Sequence, residues 1–83
     1  MDNKEYKILL FGVTRDILGS ESGSVSLPEG SSVYDLRTKL IADFPALGKL
    51  NSLMIAVNNE YAEDSTLINS SDEIALIPPV SGG

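Results

Sequence analysis

The stretch SSVYDLRTKLIADFP, residues 31–45, carries the clearest helical pattern of this 83-residue chain. Ser32 with Asp35 three residues later forms a capping-box pattern, with Asp in place of the usual Glu. Pro45 marks the end of the helix, because proline cannot continue an α-helical interior. The apolar residues recur every three or four positions, as on one face of an amphipathic helix: Val33, Leu36, Leu40, Ile41 and Phe44. We predict one main helix with a core-facing stripe.

Short apolar runs on both sides of this helix predict strands. We expect strands at residues 6–11, 24–27, 53–57, 60–62 and 73–77, and a short helical turn at residues 13–18. The first two strands are predicted to pair as a hairpin, with residues 24–27 at the edge of the sheet. In the loop at residues 65–69, Leu67 and Ile68 are predicted to plug the core. The pattern indicates an α+β fold with four to five strands.

One helix can cover only one face of such a small sheet. The runs at residues 6–11, 53–57 and 73–77 are nevertheless apolar on both faces. We therefore predict that Phe11, Tyr61 and Ile77 form an exposed apolar patch, and such patches usually mark an interface. The alternative, that Phe11 and Ile77 belong to the core, is equally compatible with the sequence.

Composition excludes several classes of function. The chain has no cysteine and no histidine, so it can form neither disulfides nor Cys/His metal sites, and it lacks the usual general base near neutral pH. Its net charge is −6, with scattered basic residues, which argues against nucleic-acid binding. No apolar run is long enough for a membrane span, and the N-terminus does not resemble a signal peptide. We expect a cytoplasmic protein that binds no membrane.

The last six residues, Pro78-Pro79-Val80-Ser81-Gly82-Gly83, form a distinct segment. The prolines favour an extended chain, and glycines can enter a channel too narrow for side chains. Fully extended, the segment reaches roughly 20 Å. We predict a globular domain at residues 1–77 and an extended tail at residues 78–83. An accidental, functionless end is the alternative.

The sequence resembles the ubiquitin-like β-grasp proteins, most closely their sulfur-carrier branch and the small subunits of molybdopterin synthase within it. The resemblance covers nearly the whole chain and is most specific over residues 72–83. The segments that carry it are Leu10-Phe11-Gly12, Phe44-Pro45, Ala56-Val57-Asn58 and DEIALIPPVSGG at residues 72–83. It implies a mixed sheet with the main helix on one face.

The resemblance also implies a mechanism in which the protein binds no cofactor stably. A ubiquitin-activating-like adenylyltransferase consumes ATP to adenylate Gly83, and sulfur then replaces AMP to leave a terminal thiocarboxylate. The tail, with Gly82 permitting entry, inserts into the large catalytic subunit of molybdopterin synthase, in a complex that the family builds as a heterotetramer. The residues that the resemblance assigns to partner binding are Phe11, Tyr61, Ile77, Pro79, Val80 and Ser81.

Three other interpretations remain open at this stage. The chain could carry sulfur for the thiazole of thiamine, although that branch is typically shorter and lacks the Pro-Pro-Val-Ser run. It could be a protein modifier that is joined through Gly83 to a lysine of a target. It could also be a plain adaptor of the same fold, whose tail does nothing.

Overall fold

The computed structural model describes residues 3–50 and 53–78, which form one mixed sheet with a main helix on one face. The five strands stand in the order β2-β1-β5-β3-β4, with β1 and β5 parallel and all other pairs antiparallel. The predicted α+β class and the edge position of the second strand are thus confirmed. The elements are β1 (Asn3–Leu10), α1 (Val13–Leu18), β2 (Ser22–Pro28), α2 (Val33–Asp43), a 3-10 helix (Pro45–Lys49), β3 (Met54–Val57), β4 (Glu60–Tyr61) and β5 (Ile74–Ile77).

Helix α2 begins with the predicted capping box. The hydroxyl of Ser32 accepts a hydrogen bond from the Asp35 backbone N–H at 3.3 Å, and Asp35 Oδ2 accepts one from the Ser32 N–H at 3.0 Å. These two bonds satisfy backbone donors that a helix N-terminus otherwise leaves unpaired. The apolar stripe of α2 packs on the sheet, where its fully buried members are Val33, Leu36 and Leu40.

The strands alternate between a face packed against α2, here called the inner face, and an opposite outer face. In β1, Tyr6, Ile8 and Leu10 are buried on the inner face, whereas Leu9 is 37% exposed on the outer face. The period of two arises because successive strand residues point to opposite sides of a sheet. The core consists of inner-face and helix side chains, joined by three from the connections: Leu47, Leu53 and Ile68.

The structure corrects two details of the sequence-based expectation. Strand β1 begins at Asn3 and ends at Leu10, so Phe11 lies just beyond the strand. Leu67 does not plug the core, because it is 67% exposed, whereas its neighbour Ile68 is 1% exposed, as predicted. The backbone N–H of Ile68 bonds to the Ser31 carbonyl at 2.9 Å, and this pairing turns Ile68 inward and its neighbour outward.

The chain leaves the sheet at Pro78, which directly follows β5 and is half-buried. The predicted tail residues Pro79, Val80, Ser81, Gly82 and Gly83 lie outside the described residues, so the division into a domain at 1–77 and a tail at 78–83 stays a prediction. In the ranges that are described, no helix is both long and apolar enough to cross a membrane.

Candidate functional site

The outer face of the sheet carries a continuous row of apolar side chains. Leu9 of β1 lies opposite Ala75 of β5, Ala75 lies opposite Ala56 of β3, and Ala56 lies opposite Tyr61 of β4. Residues paired across neighbouring strands project from the same side of the sheet. Four strands therefore contribute one apolar surface on the side that α2 leaves uncovered.

This surface is concave and encloses a groove of about 370 Å³. We call it the outer-face groove. Tyr61 is 68% exposed and Phe11 is 41% exposed, whereas Ile77 is half-buried. The groove thus brings together the three residues that the sequence predicted to form a patch. Its lining consists of Leu9, Phe11, Ala56, Asn59, Tyr61, Glu73, Ala75 and Ile77.

Phe11 is held at the groove by the turn that follows β1. The buried Thr14 hydroxyl donates to the Phe11 carbonyl at 2.5 Å and accepts from the Phe11 N–H at 2.9 Å. The guanidinium carbon of Arg15 lies 5.9 Å from the centre of the Phe11 ring, within the range of a cation–π contact. Phe11 is therefore exposed but fixed, which lowers the entropy cost of covering it with a partner.

The turn between β3 and β4 fixes the polar rim of the groove. Asn58 and Asn59 have positive φ values of 54° and 70°, which asparagine tolerates better than most residues. The side chain of Asn58 accepts a hydrogen bond from the Glu73 N–H at 2.9 Å and donates one to Asp72 at 3.1 Å. This asparagine thereby ties the turn to the start of β5, the strand that leads to Pro78.

The sequence reasoning missed two exposed apolar residues of the outer face. Leu9 is 37% exposed in the groove, and Met54 is 41% exposed and lies opposite Ile77 in the β3–β5 register. A two-residue period could have found both, since Leu9 precedes Phe11 by two positions and Met54 precedes Ala56 by two. The exposed apolar surface is therefore larger than the three predicted residues.

In residues 3–50 and 53–78, no group of three or more acidic side chains is placed to hold a metal ion. The same residues contain no buried side-chain nitrogen or oxygen without a hydrogen-bond partner. The arrangement suits docking, because the apolar groove borders β5, the strand that ends directly before Pro78.

The mixed five-stranded sheet, the single main helix and the apolar outer face define a ubiquitin-like β-grasp protein. A family model described as "ThiS family" matches residues 8–83. The chain therefore belongs to the ThiS family.

The chain is also similar to individual members of known function and to solved structures. The molybdopterin synthase sulfur carrier subunit of Dictyostelium discoideum is 40% identical, with 98% of this chain and 99% of that protein covered. The solution structure of small archaeal modifier protein 1 from Methanosarcina acetivorans is 28% identical with a TM-score of 0.78, and each chain is covered fully. One chain of the complex of subunits 1 and 2 of molybdopterin-converting factor from Helicobacter pylori is 25% identical with a TM-score of 0.64, covering 95% of this chain and 99% of that one.

Proposed function

We propose that this protein is the sulfur carrier subunit of molybdopterin synthase. The observation that carries the proposal is the position of the outer-face groove beside β5, the strand that runs into the Gly-Gly segment. We propose that a partner that covers the groove also receives the residues that follow Pro78 in the sequence. Two findings support the proposal: the chain belongs to the ThiS family, and the relative from Dictyostelium discoideum, which is covered over almost its full length, is named a molybdopterin synthase sulfur carrier subunit.

The partner that fits this groove is the large catalytic subunit of the synthase. The neighbour from Helicobacter pylori comes from a complex between the two subunits of a molybdopterin-converting factor. Exposed aromatic residues such as Tyr61 and Phe11 belong to the residue types that are enriched in the centre of protein interfaces. We propose that both side chains, with Ile77, pack against the large subunit in a heterotetramer.

The proposed chemistry takes place at the Gly83 carboxylate. An adenylyltransferase of the ubiquitin-activating type joins a carboxylate oxygen to the α-phosphorus of ATP and releases pyrophosphate. Sulfur at the oxidation level of hydrosulfide then attacks the carbonyl carbon, the bond to the AMP oxygen breaks, and loss of the sulfur-bound proton leaves a thiocarboxylate on Gly83. This sulfur is transferred to cyclic pyranopterin monophosphate in the large subunit, which supplies the catalytic residues. With no cysteine in the chain, no side chain competes as the sulfur-bearing group.

Intact-mass measurement tests this assignment. The protein is incubated with ATP, a sulfur source and the adenylyltransferase, and the expected result is a mass gain equal to the replacement of one oxygen by one sulfur. The matched control is the chain from which Gly83 has been deleted, which should gain nothing. An unchanged mass, with an enzyme that is active on another carrier, would contradict the proposal.

A second candidate function is covalent modification of other proteins. It is favoured by the likeness to a small archaeal modifier protein, which spans both chains fully. Activation at Gly83 would be the same, so the two functions differ only in the acceptor. Conjugates that contain this chain linked to lysines would support modification, whereas loss of molybdenum-enzyme activity that is rescued by molybdopterin would support sulfur transfer. Rescue by thiamine instead would indicate a carrier for thiazole synthesis.

A further inference from the structure

A glycine lies where the turn after β1 meets the end of β5. Gly12 has φ +56° and ψ −134°, a backbone conformation that residues with a Cβ rarely adopt. A Cβ built on Gly12 would lie 3.0 Å from Cγ of Pro78. Carbon atoms in favourable contact are separated by about 3.5–4.0 Å. Glycine is therefore required here for the backbone angle and, independently, for the close approach to Pro78.

The turn that contains Gly12 cannot easily move away from Pro78. On one side of Gly12, the Thr14 hydroxyl bonds to both backbone polar groups of Phe11, and Arg15 Nε donates to the Leu10 carbonyl at 3.0 Å. On the other side, the Arg15 N–H bonds to the Gly12 carbonyl at 3.0 Å. A side chain added at position 12 would therefore push mainly against Pro78.

Pro78 has little freedom to relieve such a contact, because its ring is closed onto its own backbone nitrogen and only a change of ring pucker can shift Cγ. The preceding residue, Ile77, is held in β5 by its pairing with Met54. Any displacement that exceeds what the ring pucker absorbs is therefore transmitted to the backbone at Pro78, where the chain leaves the sheet.

We propose that Gly12 is a positioning residue, which sets the direction in which the chain leaves the sheet at Pro78. The inference rests on the proposed function, because the direction of departure matters when the residues beyond Pro78 must enter a partner's active site. The outer-face groove and Gly12 then have separate tasks: the groove determines how tightly the partner binds, and Gly12 determines how often the terminus arrives in a reactive position.

A measurement without any partner tests the structural half of the inference. Because the chain contains no cysteine, Ser24→Cys on the exposed side of β2 provides a single site for a nitroxide spin label. In NMR spectra, the attenuation of the amide signals of residues 80–83 by the label then reports their distances from it. We expect Gly12→Ala to change this attenuation pattern. The matched control is Gly19→Ala, since Gly19 also has a positive φ, +76°, but an added Cβ would meet nothing within 4 Å.

The inference is refuted if wild type and Gly12→Ala give the same attenuation pattern. It is also refuted if Gly19→Ala changes the pattern as much as Gly12→Ala does. If Gly12→Ala does not fold, Pro78→Ala removes the ring from the other side of the contact. It should likewise change the pattern, and an unchanged pattern refutes the inference. These results do not depend on sulfur transfer, so they remain decisive even if wild type gains no sulfur, which would count against the proposed function alone.

The rate at which the thiocarboxylated protein donates its sulfur in the large subunit tests the functional half. We expect Gly12→Ala to lower kcat about tenfold with KM for the carrier unchanged, less than the ~100-fold that a 1 Å misplacement can cause. Gly19→Ala should leave both constants unchanged. Introduced into a Pro78→Ala background, Gly12→Ala should lower kcat less than it does in wild type, because the contact is gone and only the backbone strain at position 12 remains. An equal loss of kcat in the wild-type and the Pro78→Ala backgrounds would refute a role through Pro78, and so would a rise in KM alone.

Discussion

Tyr61→Ala tests whether the outer-face groove binds the large subunit. Tyr61 lies on β4 with 68% of its surface exposed. A buried tyrosine covers about 150–250 Å², so roughly 140 Å² of its surface remains for a partner to cover. At ~25 cal/mol per Å², this area limits its contribution to about 3.5 kcal/mol. Because alanine retains part of the contact, we expect a loss of about 2 kcal/mol of binding free energy.

This loss corresponds to a roughly 30-fold rise in Kd for the large subunit, which isothermal titration calorimetry resolves directly. Tyr34→Ala is the matched control, because Tyr34 is 57% exposed on α2, which packs against the inner face of the sheet. Both variants should unfold at the wild-type temperature, since neither side chain is in the core. Equal affinities for the two variants, or a larger loss for Tyr34→Ala, would show that the partner binds elsewhere.

The remaining predictions concern the groove and the core. Phe11→Lys and Ile77→Lys should each weaken large-subunit binding at least tenfold by placing an unpaired charge in the interface, and unchanged titration curves of the folded variants would contradict this. Leu36→Ala should lower the free energy of unfolding in urea by about 2–5 kcal/mol, because Leu36 is fully buried, whereas Leu67→Ala should stay within about 0.5 kcal/mol. Ser32→Ala should cost about 1 kcal/mol by the same measurement, and no change would mean that the capping box does not stabilise α2.

Local signals were sufficient to predict α2 and the existence of the strands. The capping box at Ser32 and the apolar stripe lie within one short stretch, so no knowledge of the rest of the fold was needed. Apolar runs likewise located β1, β3 and β5, although β1 begins at Asn3, in a polar segment whose pairing with β2 the composition did not reveal. The error at Leu67 has a similar origin, because two adjacent apolar residues do not indicate which of them faces inward.

The candidate site could be predicted only in part. Strands that are apolar on both faces indicated an exposed surface, but they did not show which face α2 covers. The structure places Phe11, Tyr61 and Ile77 along one groove, and their role in partner binding stays a prediction. Leu9 and Met54 were missed because the two-residue period was not followed back from Phe11 and Ala56. The closeness of Gly12 to Pro78 could not be predicted from local patterns, because it depends on the parallel pairing of β1 with β5.

The central position of β5 has a consequence for the synthesis of the protein. This strand joins the β2–β1 pair to the β3–β4 pair, yet it is the last strand to leave the ribosome. Contacts between segments distant in sequence form late in folding, so the sheet closes only after translation has passed Ile77. A product that is truncated before β5 cannot complete the sheet, and its exposed apolar surface makes it a target for proteases. Quality control of the fold thereby also removes chains that end before β5 and therefore lack residues 78–83.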